Sequence, residues 1–434
     1  MDKNIKSIIN KGLCTGCGTC AGVCANSAIL MGISKKGLYI PKINDKDCIN
    51  CGLCANICPG EYVNFKDLNK FIFNDIPEKF EIGNVLNAYV GYSKENKIRI
   101  LGQSGGIISS LLIFAIENKI IDGAVVTRLN SKNHLLPETY IATSKDEIVD
   151  ASKSKYCPVP SNLSINEIRK FKGKLAFVGL PCQIHGLRKL EKIDNNVRQK
   201  IFIYLGLFCE RTLSFHFQNH ILSMINVKKE DVDKFFYRDK DWKGWPGDIL
   251  IKLKNGDIKH LSNKFRKNLK YFYTPWRCNL CIDKLNQLSD ISFGDAWMPE
   301  FKNIKEGMSM ILTRNLKGEK FLIQAKNKGL IELNKIKEEN LLNSQKPIEK
   351  MLLFSPYSQI SKFFGMGIPN FEGADAKKLS SKSMKRLKLL ATYDYFIYRF
   401  IDNYFLRISL CFLPFFIYKN LVTLRRRFLI NSLN

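Results

Sequence analysis

Eight cysteines near the start of the chain set its chemistry. Cys14, Cys17, Cys20 and Cys24 stand as C-x2-C-x2-C-x3-C, and Cys48, Cys51, Cys54 and Cys58 repeat that spacing. Bacterial two-cluster ferredoxins hold a pair of [4Fe–4S] cubes with this pattern. Three cysteines two residues apart wrap one cube, and the fourth, set further along, reaches across to the other. One cluster is therefore assigned to Cys14, Cys17, Cys20 and Cys58, and a second to Cys48, Cys51, Cys54 and Cys24. Gly16, Gly18 and Gly52 allow sharp turns that aim amide donors at the sulfurs. Pro59 follows the last ligand as the pattern expects, whereas Ala25 replaces the proline expected after Cys24. Paired C-x2-C can instead hold zinc, but two identical four-membered runs favour iron–sulfur clusters. A disulfide framework is disfavoured, because no signal peptide precedes the motif. The expected chemistry is electron transfer.

A second constellation is spread along the chain. Lys174 to Val178 reads as a buried strand running into Gly179, Pro181 and Cys182, with a helix starting near Gln183. Ile201 to Phe208 ends at Cys209 in the same fashion, and Cys278 and Cys281 form a lone C-x2-C ahead of Asp283. Two cysteines at strand ends and one such pair can meet as a four-thiolate site, or each can be a small buried apolar side chain. Strand, turn and helix in succession indicate an α/β domain, and ligands collect at the carboxyl edge of such sheets. Gly102, Ser104, Gly105 and Gly106 make a small-residue turn that opens a helix from Ile107 to Asn118. Backbone donors and the helix dipole make that turn an anion site or, with equal weight, a plain tight turn. It is not a G-x-G-x-x-G dinucleotide fingerprint. Asp290 to Trp297 carries an apolar run ended by Gly294-Asp295, which suits a close cofactor approach or a turn. His185, His216 and His220 show no ligand pattern, and Cys157 and Cys411 read as structural.

The whole chain limits the remaining choices. Its 434 residues have room for two or three domains, and 45% hydrophobic with 25% charged residues is an ordinary globular composition. The net charge of +28 is not ordinary and favours an acidic redox protein or an anionic membrane surface as partner. Nucleic acid is set aside, since no zinc finger or aromatic RNA-binding motif occurs. Cysteines in metal-ligand spacing imply a reducing, cytoplasmic setting. No stretch reaches the eighteen or so uncharged apolar residues of a membrane span.

The motifs GQSGG (102–106), SKY (154–156), VGLPCQIHGLR (178–188), GLFCER (206–211), PWRCNLCID (275–283) and DISFGDAW (290–297) together resemble the coenzyme F420 hydrogenase/dehydrogenase beta-subunit family. The resemblance covers roughly residues 1–330. It implies an α/β flavin and iron–sulfur domain, here preceded by a small α+β bacterial-type ferredoxin domain. It implies that Cys182, Cys209, Cys278 and Cys281 ligate a third [4Fe–4S] cluster beside FAD. It also implies flavin contacts from Ser104, Gly105, Gly106, Ser154, Lys155 and Gly179, with Asp295 near the site. Lys155 would suit a phosphate or a reduced anionic flavin, its alternative being a surface lysine. The function implied is an oxidoreductase that passes electrons through the clusters and FAD to a hydride acceptor, coenzyme F420 among them. Two alternatives stand beside it: a non-catalytic relay subunit of a larger complex, and a membrane-proximal reductase of a lipid or glycan precursor. The expected divisions are a ferredoxin domain over 1–60, a linker over 61–84, family parts over 85–160 and 161–375, and a helical tail over 376–434.

That tail carries twelve Lys/Arg against two Asp, and Tyr393 to Tyr418 holds eleven aromatics. Phe396, Phe400, Ile401, Tyr404, Phe405 and Ile408 follow helical spacing before Pro414 breaks the pattern. A basic aromatic helix suits the inner face of an anionic membrane; the alternative is a pair of helices packed on the body or on another subunit.

Overall fold

The computed structural model describes residues 4–374 and 379–433, so the boundary expected at 375/376 lies outside the described residues. The strands in chain order are β1 (Ile29–Ile33), β2 (Tyr39–Ile43), β3 (Tyr62–Asn64), β4 (Asn87–Ser93), β5 (Gly123–Leu129), β6 (Pro137–Ala142), β7 (Leu175–Gly179), β8 (Ile201–Leu207), β9 (Val232–Asp239), β10 (Asp248–Leu253), β11 (Ile258–Leu261), β12 (Ile291–Asp295), β13 (Ser309–Thr313), β14 (Ile331–Lys335) and β15 (Asn370–Glu372).

Eight of them form one sheet in the order β14-β4-β13-β12-β8-β7-β5-β6. The four central strands β12, β8, β7 and β5 run parallel, and the flanking pairs are antiparallel. The parallel strands are apolar on both faces, as strands covered by helices must be. Leu175, Ala176, Phe177, Ile203, Tyr204 and Leu205 are fully buried. Helices Ile107–Glu117 and Pro181–Glu191 cover the sheet and open at the carboxyl ends of its strands. Because β4, β5 and β6 share this sheet with β7, β8, β12, β13 and β14, the two family parts expected over 85–160 and 161–375 are one folded unit. A separate antiparallel sheet, β11-β10-β9, stands beside it.

The N-terminal module is a β1–β2 hairpin with short helices at Lys6–Asn10, Thr19–Gly22 and Leu53–Asn56. Gly18 and Gly52 cap the last two helices at φ 87° and 79°, a left-handed conformation that a side chain would strain. Ile5, Ile8, Leu13 and Ile29 form its small core with Cys20, Cys54 and Cys58. The segment 61–84, expected to be a linker, is instead structured. Asn64 caps the helix Phe65–Phe73 by accepting from the Asp67 N–H, and Phe65 and Leu68 are buried in the same core as Phe177 and Ile184. Phe65, one of the aromatics taken as linker composition, lies on the face that this helix buries, with Leu68 and Asn69.

The tail is helical over Ser381–Asp402, Tyr404–Cys411 and Phe415–Leu433. One face packs on the body: Leu387, Leu390, Ala391, Tyr395, Tyr418 and Val422 are buried. Asp394 accepts from Arg425 Nε at 2.8 Å and also from the Tyr357 hydroxyl, which ties the first and last tail helices to the body. Among the described residues no single helix is long and apolar enough to cross a membrane; the bent pair Tyr404–Cys411 and Phe416–Ser432, at 109°, has the length and composition only when taken together.

Candidate functional site

Two adjoining cavities organise the chemistry. The smaller, about 80 Å³, is bordered by Cys14 and Cys17 on one side and by Cys182, Cys209, Cys278 and Cys281 on the other. The four dispersed cysteines thus meet. Cys182 follows β7, Cys209 follows β8, and Cys278 lies on the short helix Trp276–Asn279 with Cys281 just beyond it. Burial pushes the Cys209 thiol up to about 12, and burial with Cys17, Cys209, Cys281 and Cys278 nearby pushes Cys182 far up. Among the described residues no three His, Cys, Asp or Glu side chains converge closely enough to hold a single metal ion.

Side chains beside this group hold its loops. His185 Nε2 and Asp283 Oδ2 are 2.8 Å apart and fully buried, while the Gln287 N–H donates to the same carboxylate. Lys350 Nζ donates to the Cys209 carbonyl at 2.8 Å. His185 carried no pattern in the sequence because its partner stands 98 residues away.

The N-terminal module docks against this wall. Asn162 Nδ2 donates to Thr19 Oγ1 at 2.8 Å and to the Gln183 carbonyl at 2.9 Å, and the Asn162 N–H donates to the Cys17 carbonyl. The approach is close enough that a Cβ on Gly22 would meet the Asn162 carbonyl at 2.1 Å, and one on Gly186 would meet Thr19 Oγ1 at 2.3 Å. Cys14 and Cys20 each feel both Cys17 and Cys58, whereas Cys54 feels Cys51 and Cys48. Cys51 is exposed, and Cys17, Cys20 and Cys58 are buried, so the cysteines run from the surface inward.

The larger cavity, about 700 Å³, opens at the carboxyl edge of the parallel strands. Its size falls within the roughly 300–1,000 Å³ of cofactor and small-molecule sites. Cys209 borders both cavities. Of the residues singled out in the sequence, Ser104, Gly106, Ser154, Lys155, Gly179 and Asp295 line it. Gly105 does not: its N–H donates to Ser309 Oγ at 2.8 Å, and a Cβ there would meet the Gly91 carbonyl at 2.4 Å. Lys155 Nζ donates to the carbonyls of Ala151 and Ser152, closing the end of helix Lys145–Asp150, and burial pushes it down to about 7. Lys240 pins the GQSGG turn by donating to the carbonyls of Arg99, Ser104 and Glu306.

Charge distinguishes this cavity. Nine Lys or Arg side chains border it against two carboxylates, Glu210 and Asp295. Asp295 is engaged by Arg238 at 2.8 Å and 3.1 Å and by Trp245 Nε1 at 2.7 Å. Burial raises the Tyr156 phenol, but Arg238 and Arg266 beside it pull it below its ordinary value. Ser152 Oγ, Arg211 Nε and Arg266 Nε are buried without a hydrogen-bond partner. A negatively charged, oxygen-rich cofactor fits such a lining, and FAD with its diphosphate is of that kind. Sequence reasoning missed Arg238, Arg266, Lys267, Lys270 and Arg426. The basic run FRKNLK (265–270) was visible, but nothing local said which of its cations face inward.

A cysteine-rich module set against an α/β sheet whose cationic edge cavity adjoins further cysteines defines an iron–sulfur protein of the electron-transferring oxidoreductases. The comparisons narrow that class. Residues 88–166 match the N-terminal part of the coenzyme F420 hydrogenase/dehydrogenase beta subunit, residues 172–339 its C terminus, and residues 13–61 a 4Fe-4S dicluster domain. The chain belongs to the coenzyme F420 hydrogenase/dehydrogenase beta-subunit family.

It is 29% identical over 254 residues to the coenzyme F420 hydrogenase subunit beta of Methanothermobacter thermautotrophicus, covering 57% of this chain and 83% of that one. It is 27% identical over 367 residues to the coenzyme F420-dependent sulfite reductase of Methanocaldococcus jannaschii, covering 80% of this chain. The chain spans about half, 52%, of the length of that reductase. Among solved structures, a chain of the F420-reducing [NiFe] hydrogenase complex from Methanosarcina barkeri shares the fold, with a TM-score of 0.53, 23% identity, and coverage of 68% of this chain and 99% of that chain.

Proposed function

We propose that this chain is an iron–sulfur flavoprotein. It carries electrons from the two N-terminal clusters through a third [4Fe–4S] cluster, on Cys182, Cys209, Cys278 and Cys281, to FAD in the larger cavity and to a hydride acceptor beyond. The observation that carries the reading is the order of the parts. A cysteine group that reaches the surface at Cys51 is followed by one that includes buried Cys17, which borders the same small cavity as the Cys182–Cys281 group, and Cys209 is shared between that group and the larger cavity. FAD exchanges single electrons on one side and a hydride on the other, which is the conversion such an arrangement needs. The chain's own residues would do the holding. Lys155, the Gly106 end of helix Ile107–Glu117 and the unsatisfied Nε donors of Arg211 and Arg266 would bind anionic oxygens. Arg238 would hold the Asp295 carboxylate in place at the cavity wall. Coenzyme F420 is the first acceptor to try, because relatives carry it in their names. The flow can run in either direction, and an acidic redox protein is the natural partner for a chain of net charge +28.

The experiment is anoxic purification with iron, sulfide and flavin quantified, followed by a screen of hydride acceptors that includes coenzyme F420. Flavin near one per chain with reduction of an acceptor supports the reading. A preparation that bleaches and reoxidises with artificial dyes, yet turns over no acceptor alone, is instead a relay subunit. A colourless preparation overturns both.

A membrane-proximal setting is favoured by one observation. Phe405 and Phe412 are each 80% exposed and Phe416 61%, next to Arg407 and Lys419. The tail's outer face would lie on an anionic lipid surface while its inner face packs on the body.

A further inference from the structure

The family match ends at residue 339, yet the last helix of the chain borders the larger cavity through Arg426. How that residue reaches the cavity is legible in its neighbour. Arg425 is buried and held by Asp394 and Tyr357, and its guanidinium lies 4.1 Å above the Tyr271 ring. Fixing Arg425 this way leaves the adjacent Arg426 exposed at the cavity mouth.

Three more cations meet it there, all from helix Asn263–Leu269 and its end. Arg266 is only 8% exposed, faces Tyr156 at 4.9 Å, and its Nε has no hydrogen-bond partner. Lys267 is half-buried with Arg266, Arg426, Arg238 and Lys270 around it, and it is drawn down by burial and then by those charges. Lys270 donates to Glu210 at 3.0 Å. Arg238 is committed to Asp295. Among the described residues, Arg266, Lys267 and Arg426 form no ion pair. Like charges that outnumber the nearby carboxylates, Glu210 and Asp295, destabilise a fold, and a buried guanidinium with an unmade hydrogen bond adds to that cost. A multiply charged oxyanion in their midst would reverse both terms, and guanidinium forks match phosphate oxygens in pairs.

We propose that Arg266, Lys267, Lys270 and Arg426 form a phosphate-type oxyanion subsite at the cavity mouth, one cation of which the C-terminal helix supplies. The tail is then part of the binding site and not only a packing element. The inference rests on the reading of this cavity as the cofactor and substrate chamber. Its phosphate or diphosphate group can belong to the resident flavin nucleotide or to the molecule that exchanges hydride with it. The recognition chemistry is the same in both cases.

The test uses the full chain, purified without oxygen, as wild type, R426Q and K267Q. Inorganic pyrophosphate is titrated calorimetrically at low salt into flavin-loaded and flavin-stripped samples, with flavin and iron per chain counted. The two substitutions lie on different helices, and unchanged iron certifies the fold of each. Pyrophosphate binding to the flavin-loaded wild type, weakened about 10- to 100-fold in both variants, assigns the subsite to the exchanging molecule. Binding only after flavin is stripped, with flavin occupancy lowered in both variants, assigns it to the cofactor's own diphosphate. Pyrophosphate binding that depends on Arg426 in a protein that never holds flavin keeps the subsite and removes the flavoprotein reading. Equal pyrophosphate affinity and equal flavin content in all three proteins would overturn the proposal.

Discussion

The N-terminal cysteine runs and the Cys182–Cys281 group present the same side chain by opposite means. In the first, eight cysteines fall within 45 residues and glycine-capped turns aim them; the surrounding core is so small that Cys20, Cys54 and Cys58 belong to it. In the second, four cysteines spread over 100 residues are gathered by the carboxyl edge of a parallel sheet. The first region needs its metal to be a folded object, whereas the second inherits its geometry from a core of its own.

The largest expected effect tests that contrast directly. Cys54→Ser should take the anoxic protein from about twelve irons to about four, at four per cube, because both N-terminal clusters share one core. Cys278→Ser should leave about eight, with flavin loosened and the N-terminal clusters intact. Iron and sulfide analysis with low-temperature electron paramagnetic resonance reads both. If Cys54→Ser costs only about four irons, the two clusters assemble independently and the contrast fails. If Cys278→Ser leaves iron and flavin unchanged, the third ligand set is wrong.

The next effect separates the sheet from its tail. Asp394 is 8% exposed, and its partners Arg425 and Tyr357 are buried as well. Asp394→Ala leaves a buried cation uncompensated, which costs about 3–5 kcal/mol. Urea unfolding should show that loss, and limited proteolysis should cut within 381–433, while the N-terminal clusters keep their spectra. Equal stability would mean that the tail helices are held by apolar packing alone.

How much of this was legible beforehand follows the same division. The cluster spacing could be read because three of the four ligands assigned to each N-terminal cube are local in sequence. The strands before Cys182 and Cys209, and the helix after GQSGG, were legible from their apolar runs and small-residue turns, to within a residue or two. The helix Phe65–Phe73 was not, because its aromatic face resembles linker composition until a partner surface is known. Nor was the cationic lining: Arg238, Arg266 and Arg426 come from three elements far apart in sequence, and in a chain of net charge +28 no single cation stands out. The pairing of His185 with Asp283 was hidden for the same reason.

Lys155 gives a smaller effect on the assembled side of the contrast. Lys155→Ala should weaken FAD binding by about 1–3 kcal/mol, the range for a hydrogen bond to a charged group. The pH dependence has a definite sign. In the free protein burial holds this ammonium down at about 7, and an anionic ligand beside it would raise it. The lysine's contribution to affinity is then complete below pH 7 and declines as pH climbs through the raised value in the complex. Flavin titrations from pH 6 to 9 should show that decline in the wild type and a flat line in the variant. Parallel curves would return Lys155 to its structural task of closing helix Lys145–Asp150.

The smallest effect lies on the tail's outer face, which neither cysteine region touches. Its inner face is occupied, since Leu410, Tyr418 and Val422 are buried against the body. Phe405, Phe412 and Phe416 are therefore left exposed to solvent, in a segment that also carries Arg407 and Lys419. Near an anionic bilayer each such cation contributes roughly 1 kcal/mol, and the aromatic rings add apolar area at the headgroup boundary. Replacing Phe405, Phe412 and Phe416 with serine should leave iron, flavin and the Asp394–Arg425 lock untouched. The same change should reduce flotation with phosphatidylserine vesicles at moderate salt. Because the attraction is partly electrostatic, raising the salt should release the wild type as well. Unchanged flotation of the triple variant would assign this face to a protein neighbour, and would leave the tail's contribution confined to the Arg426 side of the cavity.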